Sequence, residues 1–260
     1  MRIFVTGAGG FIGRHLCASL EARRHALAAS MQGADAVVHL ANIAHARASE
    51  AELQRVNVEG TLARAREAAA AGARRFLYLS SSLAVDATDR YGRSKLAAEQ
   101  GLKGVRGIEV VVLRPPLVYG PGVKANFLAL MRAVARGVPL PLASIDNRRS
   151  LIYVDNLVDA MLRCLELPQA AGMTLGVTDG APVSIPQLCR ELGAALGRPA
   201  RLFPFPPALL ELAPALRKLT RSLEVDDSAL RGGLGWHPRF TREEGLRATA
   251  GWFLGRDARC

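Results

Sequence analysis

Cysteine is scarce in this chain. Cys17, Cys164, Cys189 and Cys260 are scattered, and no two form a CxxC pair. Such usage supplies neither a disulfide framework nor a zinc ligand set, so reduced thiols in a cytosolic protein and no metal site are expected. Aromatic residues make up only 5% of the chain and do not interleave with basic clusters. The formal charge of +11 rests on dispersed arginines. A positive balance favours phosphates and nucleotides. Dispersed arginine lacks the dense basic stripe of a nucleic-acid footprint, and no nucleic-acid partner is expected. No apolar run reaches the ~20 residues of a membrane span. The first apolar run starts at Ile3 and meets Gly7 almost at once, unlike a signal peptide. Internal repeats and linkers are also missing. These absences point to a cytoplasmic protein with no membrane partner. What remains is 260 residues, 50% hydrophobic and 22% charged. That composition supports one large domain, or two closely joined ones, with a sizeable core.

The N-terminal stretch reads as strand, glycine turn and helix. Ile3-Phe4-Val5 is a β-rich run, Thr6 to Gly13 carries the glycines, and Leu16, Cys17 and Leu20 have helical spacing. Gly7, Gly10 and Gly13 stand three apart. In a dinucleotide-binding turn the first permits the tight turn, the second admits a pyrophosphate, and the third lets helix pack on strand. The helix N-terminus would add free N–H groups and a positive dipole end. A tight β–α turn without ligand is the alternative. Such a site also wants an acid at the end of a second strand. Asp35 lies at the right distance but opens the run Ala36 to Ala41, the wrong end of a strand. His25 to Ser30 is a short strand candidate with no acid after it. The adenosine half of the site is therefore expected to be missing or compressed.

Further strands are expected at Ala36 to Ala41, Arg74 to Leu79, Ile108 to Leu113, Leu151 to Val154 and Leu175 to Thr178. Helices are expected at Glu50 to Ala71, Tyr91 to Leu102, Asn126 to Arg136, Asn156 to Leu167 with Asp155 as cap, Ile185 to Leu196 with Ser184 as cap, Ala208 to Leu219, and from Thr241 onward. Val118 to Gly122 reads as a turn. His39 reads as a packed or hydrogen-bonded histidine rather than a base. The alternation indicates an α/β chain with a Rossmann-type, doubly wound parallel sheet and ligands at the strand C-termini. A smaller C-terminal α/β lobe follows. Residues 1–117 are expected to form the dinucleotide-binding domain, with 150–178 returning to it. Residues 118–149 and 179–260 would form the substrate lobe.

Ser80-Ser81-Ser82 closes one apolar run, and Tyr91-Gly92-Arg93-Ser94-Lys95 opens the next helix. Tyr91 and Lys95, four apart, share one helix face. A cation there would lower the Tyr pKa from about 10 and make the phenol a general acid/base. Ser82 would then hydrogen-bond the same substrate oxygen. A solvated helix start with a packed Tyr is the bland alternative. Arg148-Arg149 suits a diphosphate or a solvated basic turn equally.

Together these motifs resemble the extended short-chain dehydrogenase/reductase family, of the NAD-dependent nucleotide-sugar epimerase and dehydratase type. The resemblance rests on Thr6 to Gly13, Val38-His39-Leu40-Ala41, Asn57-Val58-Glu59-Gly60-Thr61, the Ser82, Tyr91 and Lys95 set, and Leu113 to Gly122. It implies NAD, with NADP also admitted, held by Gly7, Gly10, Phe11, Ile12, Gly13, Leu40, Ala41, Asn57, Ser80, Tyr91, Lys95 and Pro115. It implies catalysis by Ser82, Tyr91 and Lys95, and a UDP-sugar or similar nucleotide-sugar contacted by Ser82, Asn126, Arg149 and Arg221. The implied activity is epimerisation at C4 through a 4-keto sugar, or an NADPH-dependent keto-sugar reduction, by a homodimer. A non-catalytic nucleotide sensor on the same fold is the other class of reading. Two departures stand out: the Gly13–Asp35 region and the Ser82–Tyr91 loop are both shorter than the family's usual ones.

Overall fold

A computed structural model describes residues 1–43, 48–212 and 219–257. The chain divides into two compact units. One holds Met1–Pro116, Leu157–Val177 and Asp226–His237; the other holds Leu117–Asn156, Thr178–Val225 and Pro238–Cys260.

The first unit is built on six parallel strands. They are β1 (Arg2–Thr6), β2 (Ala26–Leu27), β3 (Ala36–His39), β4 (Arg75–Leu79), β5 (Glu109–Arg114) and, later in the chain, β8 (Thr174–Gly176). Their spatial order is β2-β1-β3-β4-β5-β8. Every residue of β3 and β4 is buried, because helices cover both faces of the sheet. That is why these strands read as unbroken apolar runs rather than alternating ones. Phe76, Tyr78, Val37 and Val112 pack with Ala65, Ala68, Ala98 and Leu102 in one cluster. The small alanines let α3 (Gly60–Ala70) and α5 (Arg90–Leu102) approach the sheet closely.

The remaining elements of this unit refine the sequence expectations. Helix α1 (Phe11–Ala22) starts directly after Gly10. The expected single helix from Glu50 is interrupted. It comprises α2 (Glu50–Leu53), a π-turn over Gln54–Glu59 and then α3. Ser49 caps it in a reciprocal box with Glu52. The π-turn falls at Asn57, which is fully buried and bonded outside its own helix. A short α4 (Leu83–Asp86) follows β4. Arg75 is 2% exposed and donates to the carbonyls of Cys164 and Leu167 at 2.8 and 2.6 Å. It thereby terminates α7 (Val154–Glu166), whose residues from Leu157 onward belong to this unit.

In the second unit, Leu117–Tyr119 forms a strand, β6, where the sequence suggested only a turn. It pairs in parallel with β7 (Leu151–Tyr153). The turn is confined to Gly120 onward, with Gly120 at φ +150°. Helix α6 spans Ala125–Ala135. Helix α8 (Ile185–Ala195) is capped by Ser184 as expected, its hydroxyl accepting from the Gln187 N–H at 3.3 Å. Asp155 lies inside the first turn of α7 instead of capping it, because the helix starts directly from β7 at Val154. The half-buried carboxylate of Asp179 holds the strand ends. It accepts from the Tyr119 hydroxyl at 2.9 Å, the Tyr153 N–H at 2.8 Å and Asn156 Nδ2 at 2.7 Å. Burial pushes the Asp179 carboxyl up to about 6 despite these donors. The expected helix from Ala208 is described only as α9 (Pro207–Leu210), and residues 213–218 lie outside the described residues. Helix α10 (Arg242–Asp257) follows a Thr241 cap.

Among the described residues, Cys17, Cys164 and Cys189 are free thiols, and no group of His, Cys, Asp or Glu is placed to hold a metal. Cys260 lies outside the described residues. No helix among them is long and apolar enough to cross a membrane.

Candidate active site

The chain passes from β1 to β2 on one side and from β2 back to β3 on the other, so the crevice of this sheet opens between the ends of β1 and β3. Gly7 stands there at φ +75°, and a Cβ on it would lie 2.9 Å from the Ala41 amide. The Gly10 N–H donates to the Gly7 carbonyl at 2.9 Å. A Cβ at Gly13 would meet the same carbonyl at 2.3 Å, so only glycine lets α1 seat against the turn. Gly10 itself caps α1 with no side chain bonded there, and the first turn holds no acid. Phe11 and Ile12 are half-buried in that turn. Leu40 and Ala41 close the opposite wall, their N–H groups donating to the Thr6 carbonyl and hydroxyl at 3.2 and 3.4 Å. Backbone close-packed around an uncapped helix start fits a pyrophosphate.

The adenosine side is reduced. β2 has two residues, pairing Ala26 and Leu27 with Arg2 and Ile3, and it ends before the level of Thr6. Ala28-Ala29-Ser30 follows, without a carboxylate. Asp35 sits at the N-terminal end of the sheet and accepts from the Arg2 N–H at 2.6 Å.

His39 Nδ1 lies 2.7 Å from Thr6 Oγ1, and its Nε2 lies 3.1 Å from Thr61 Oγ1. Thr61 gives its own proton to the Asn57 carbonyl at 2.7 Å, so it accepts from Nε2–H. Burial, Lys95 and Arg64 lower His39 to about 4. A neutral, doubly engaged ring cannot serve as a base near neutrality, and His39 is a structural tie between β1, β3 and α3. Asn57 continues the tie. Its amide bonds both backbone groups of Ile43, at 2.8 and 3.0 Å, and donates to Ser94 Oγ at 3.1 Å. Ser94 then donates to the Tyr91 carbonyl at 2.8 Å. Asn57 therefore connects the segment after Ala41 to the start of α5.

β4 delivers Ser80 and Ser82, while β5 delivers Pro115. The Ser82 N–H donates to the Pro115 carbonyl at 2.9 Å. Ser82 is buried, and among the described residues its hydroxyl makes no hydrogen bond. Tyr91 lies in the first turn of α5, capped by Asp89, whose carboxylate accepts from the Gly92 N–H at 2.7 Å. A Cβ on Gly92 would lie 2.3 Å from the Leu83 carbonyl, so α5 begins in direct contact with α4, the helix that Ser82 caps. The shortened loop thus brings Ser82 and Tyr91 to neighbouring helix starts.

Lys95 is 1% exposed. Its ammonium donates to the Leu79 carbonyl at 2.8 Å, 4.6 Å from the Tyr78 ring centroid and 5.8 Å from that of Tyr91. Burial lowers Lys95 to about 7, opposed by Glu99. The Tyr91 phenol is not lowered as the sequence suggested. Burial, followed by the nearby Asp89, holds it above its ordinary value. The Lys95 hydrogen bond is given to Leu79, and desolvation of a phenolate outweighs a cation placed over the ring.

Ser80 carries a feature that the sequence did not disclose. Its hydroxyl donates to the buried carboxylate of Glu99 at 2.5 Å, which also accepts from Arg114 Nε and Nη2 at 3.0 and 2.5 Å. Glu99 stands one turn beyond Lys95, and that i,i+4 spacing was its available signal.

Of the four substrate candidates, Ser82 falls in the first unit, and Asn126, Arg149 and Arg221 fall in the second. Arg149 Nη1 donates to the Arg221 carbonyl at 2.9 Å, which brings those two segments together. Burial lowers the Arg149 guanidinium from its usual value. Arg148 is instead paired with Glu224 at 3.0 Å, so the two arginines do not act as one anion site. Asn126 is exposed in the first turn of α6.

Residues 22–175 match the NAD dependent epimerase/dehydratase family. The chain is 35% identical to a UDP-glucose 4-epimerase of Vibrio cholerae over 97% of this chain and 95% of that protein. That alignment spans 312 positions against 260 residues here, so the relative carries segments this chain lacks. The chain is also 29% identical to a GDP-6-deoxy-D-mannose reductase of Pseudomonas aeruginosa over 95% of each. Among solved structures, RMD of Pseudomonas aeruginosa complexed with NADPH superposes with a TM-score of 0.79, at 27% identity over 97% of this chain and 99% of that one. The chain belongs to the NAD dependent epimerase/dehydratase family.

Proposed function

We propose that this chain is an NAD-dependent epimerase acting at C4 of a nucleotide-linked sugar through a transient 4-keto sugar. One arrangement carries the reading. A glycine cradle, a Ser82 hydroxyl that makes no hydrogen bond among the described residues, Tyr91 and Lys95 occupy the C-terminal edge of one parallel sheet. The cradle of Gly7, Gly10 and Gly13, the first turn with Phe11 and Ile12, and the wall of Leu40 and Ala41 would hold the dinucleotide pyrophosphate. Asn57 and Pro115 position the nicotinamide half. When bound, the nicotinamide supplies the hydride acceptor and donor.

The chain's own residues handle the proton. Tyr91 takes it from the sugar 4-hydroxyl at its phenol oxygen and returns it when the carbonyl is reduced. Ser82 hydrogen-bonds the same sugar oxygen and fixes the acceptor geometry. Among the described residues Lys95 bonds only the Leu79 carbonyl, which leaves two ammonium N–H groups for a ribose hydroxyl. Its charge favours the phenolate once the proton leaves Tyr91. Arg149, with Asn126 and Arg221, would meet the nucleotide diphosphate. The protein would act as a homodimer in the cytoplasm.

Incubation with UDP-sugars and NAD⁺ tests this reading, with sugar stereochemistry read by NMR. The expected product is the C4 epimer, formed without net consumption of cofactor. Relatives that include a reductase favour a second reading, NADPH-dependent reduction of a 4-keto sugar nucleotide. Turnover confined to reactions with added NADPH would select it. Absence of any turnover, with Tyr91→Phe binding ligand as tightly as wild type, would leave only a sensor.

A further inference from the structure

Glu99 takes no part in the proton transfers above, yet it is a carboxylate 5% exposed, one helical turn along α5 from the most buried cation of the site. Its surroundings are specific. Ser80, directly after β4, donates to it at 2.5 Å, and Arg114 of β5 reaches it with two nitrogens at 3.0 and 2.5 Å. Leu79, the residue before Ser80, accepts from Lys95. Consecutive residues at the end of β4 are therefore tied to two residues one turn apart on α5. This double tie sets the strand that leads into Ser82 against the helix that carries Tyr91.

We propose that Glu99 is a positioning residue of this site, the counter-charge that lets the buried Lys95 hold a proton while Ser80 and Arg114 fix the carboxylate in place. An ammonium stripped of water binds its proton weakly unless an opposite charge stands near. Among the described residues, the other groups around Lys95 offer none. Tyr91 on α5 and Tyr78 on β4 are neutral phenols held above their ordinary values, and His39 on β3 is a neutral imidazole. Arg114 is a cation paired with the Glu99 carboxylate itself, its side chain 24% exposed. The inference rests on the proposed function only for its kinetic consequence.

The chain has four lysines, Lys95, Lys103, Lys124 and Lys218, so ¹³C-lysine NMR resolves Lys95, assigned by its loss in Lys95→Met. In the wild-type chain Lys95 is expected to titrate near 7. In folded Glu99→Gln its midpoint is expected at least one pH unit lower, with Glu99→Asp restoring most of the difference. An unchanged midpoint in folded Glu99→Gln overturns the proposal. A measurement without substitution covers a variant that fails to fold. The Glu99 ¹³Cδ signal of wild type should shift through the Lys95 midpoint, and a flat signal there overturns the coupling. In turnover, the alkaline limb of the kcat/KM profile should move to lower pH in Glu99→Gln, a change that a merely structural role would not produce. An NMR shift as expected in a chain without turnover supports the role of Glu99 and counts against the epimerase reading alone.

Discussion

The ammonium of Lys95 lies 5.8 Å from the centroid of the Tyr91 ring, and its hydrogen bond goes to the Leu79 carbonyl. The pair therefore shares a helix face, as its spacing required, but the lysine is anchored to the sheet. Tyr91 consequently rests as a protonated phenol. Lys95 is placed to answer charge as it develops on that phenol.

Removing the phenolic oxygen should separate chemistry from binding. Tyr91→Phe is expected to lower kcat by about 10²–10⁴-fold, the range of a lost general acid/base. Nucleotide-sugar affinity should stay within a few-fold of wild type. Steady-state kinetics together with calorimetric titration check both halves.

Lys95 also predicts a pH dependence of stability. Its value falls from 10.5 in the unfolded chain to about 7 in the folded one. The folded state thus binds fewer protons between those values, and stability should climb with pH from about 7 to 10.5. The gain is present above the unfolded value and lost as pH falls through the folded one. His39, lowered from 6.5 to about 4, acts in the same sense over its own window. Urea midpoints against pH measure this, and Lys95→Met should flatten the upper climb.

The glycines of the first turn should differ in tolerance. A Cβ at Gly13 would stand 2.3 Å from the Gly7 carbonyl, while one at Gly9 would meet nothing within 4 Å. Gly13→Ala is expected to cost about 1–3 kcal/mol by overpacking and to weaken dinucleotide binding at least tenfold. Gly9→Ala should change stability by less than about 0.5 kcal/mol. Thermal melts with and without NAD⁺ distinguish them.

Arg75 offers a stability test away from the chemistry. It terminates α7 through backbone carbonyls and pairs with Glu109 at 2.5 Å. Arg75→Ala leaves those carbonyls buried without donors, at a cost of about 3–5 kcal/mol. Denaturant unfolding should show the loss, and Glu109→Gln a smaller one, since the Glu109 side chain is 42% exposed.

Much was legible from local pattern. The glycine spacing, the buried strand runs, the Ser184 cap and the i,i+4 pair of Tyr91 and Lys95 each follow from one stretch of chain and its backbone geometry. They suffice for the parallel sheet, the family and the edge where the chemistry gathers. The π-turn at Asn57 was not legible, because it depends on Asn57 bonding Ile43 and Ser94 from outside the helix. Strand β6 was masked by the glycine and proline that follow it, and it exists through its pairing with β7.

The sequence by itself determined which groups are available: a phenol, an ammonium and a hydroxyl near strand ends, and a second strand too short to carry a ribose acid. Only the tertiary structure decided their state. Burial, a property of the packed chain, raises the Tyr91 phenol and lowers Lys95 and His39. Contacts between strands and a helix far apart in sequence join Ser80, Glu99 and Arg114 into one buried cluster. Desolvation and long-range pairing belong to no single stretch, and both set the electrostatics of this site.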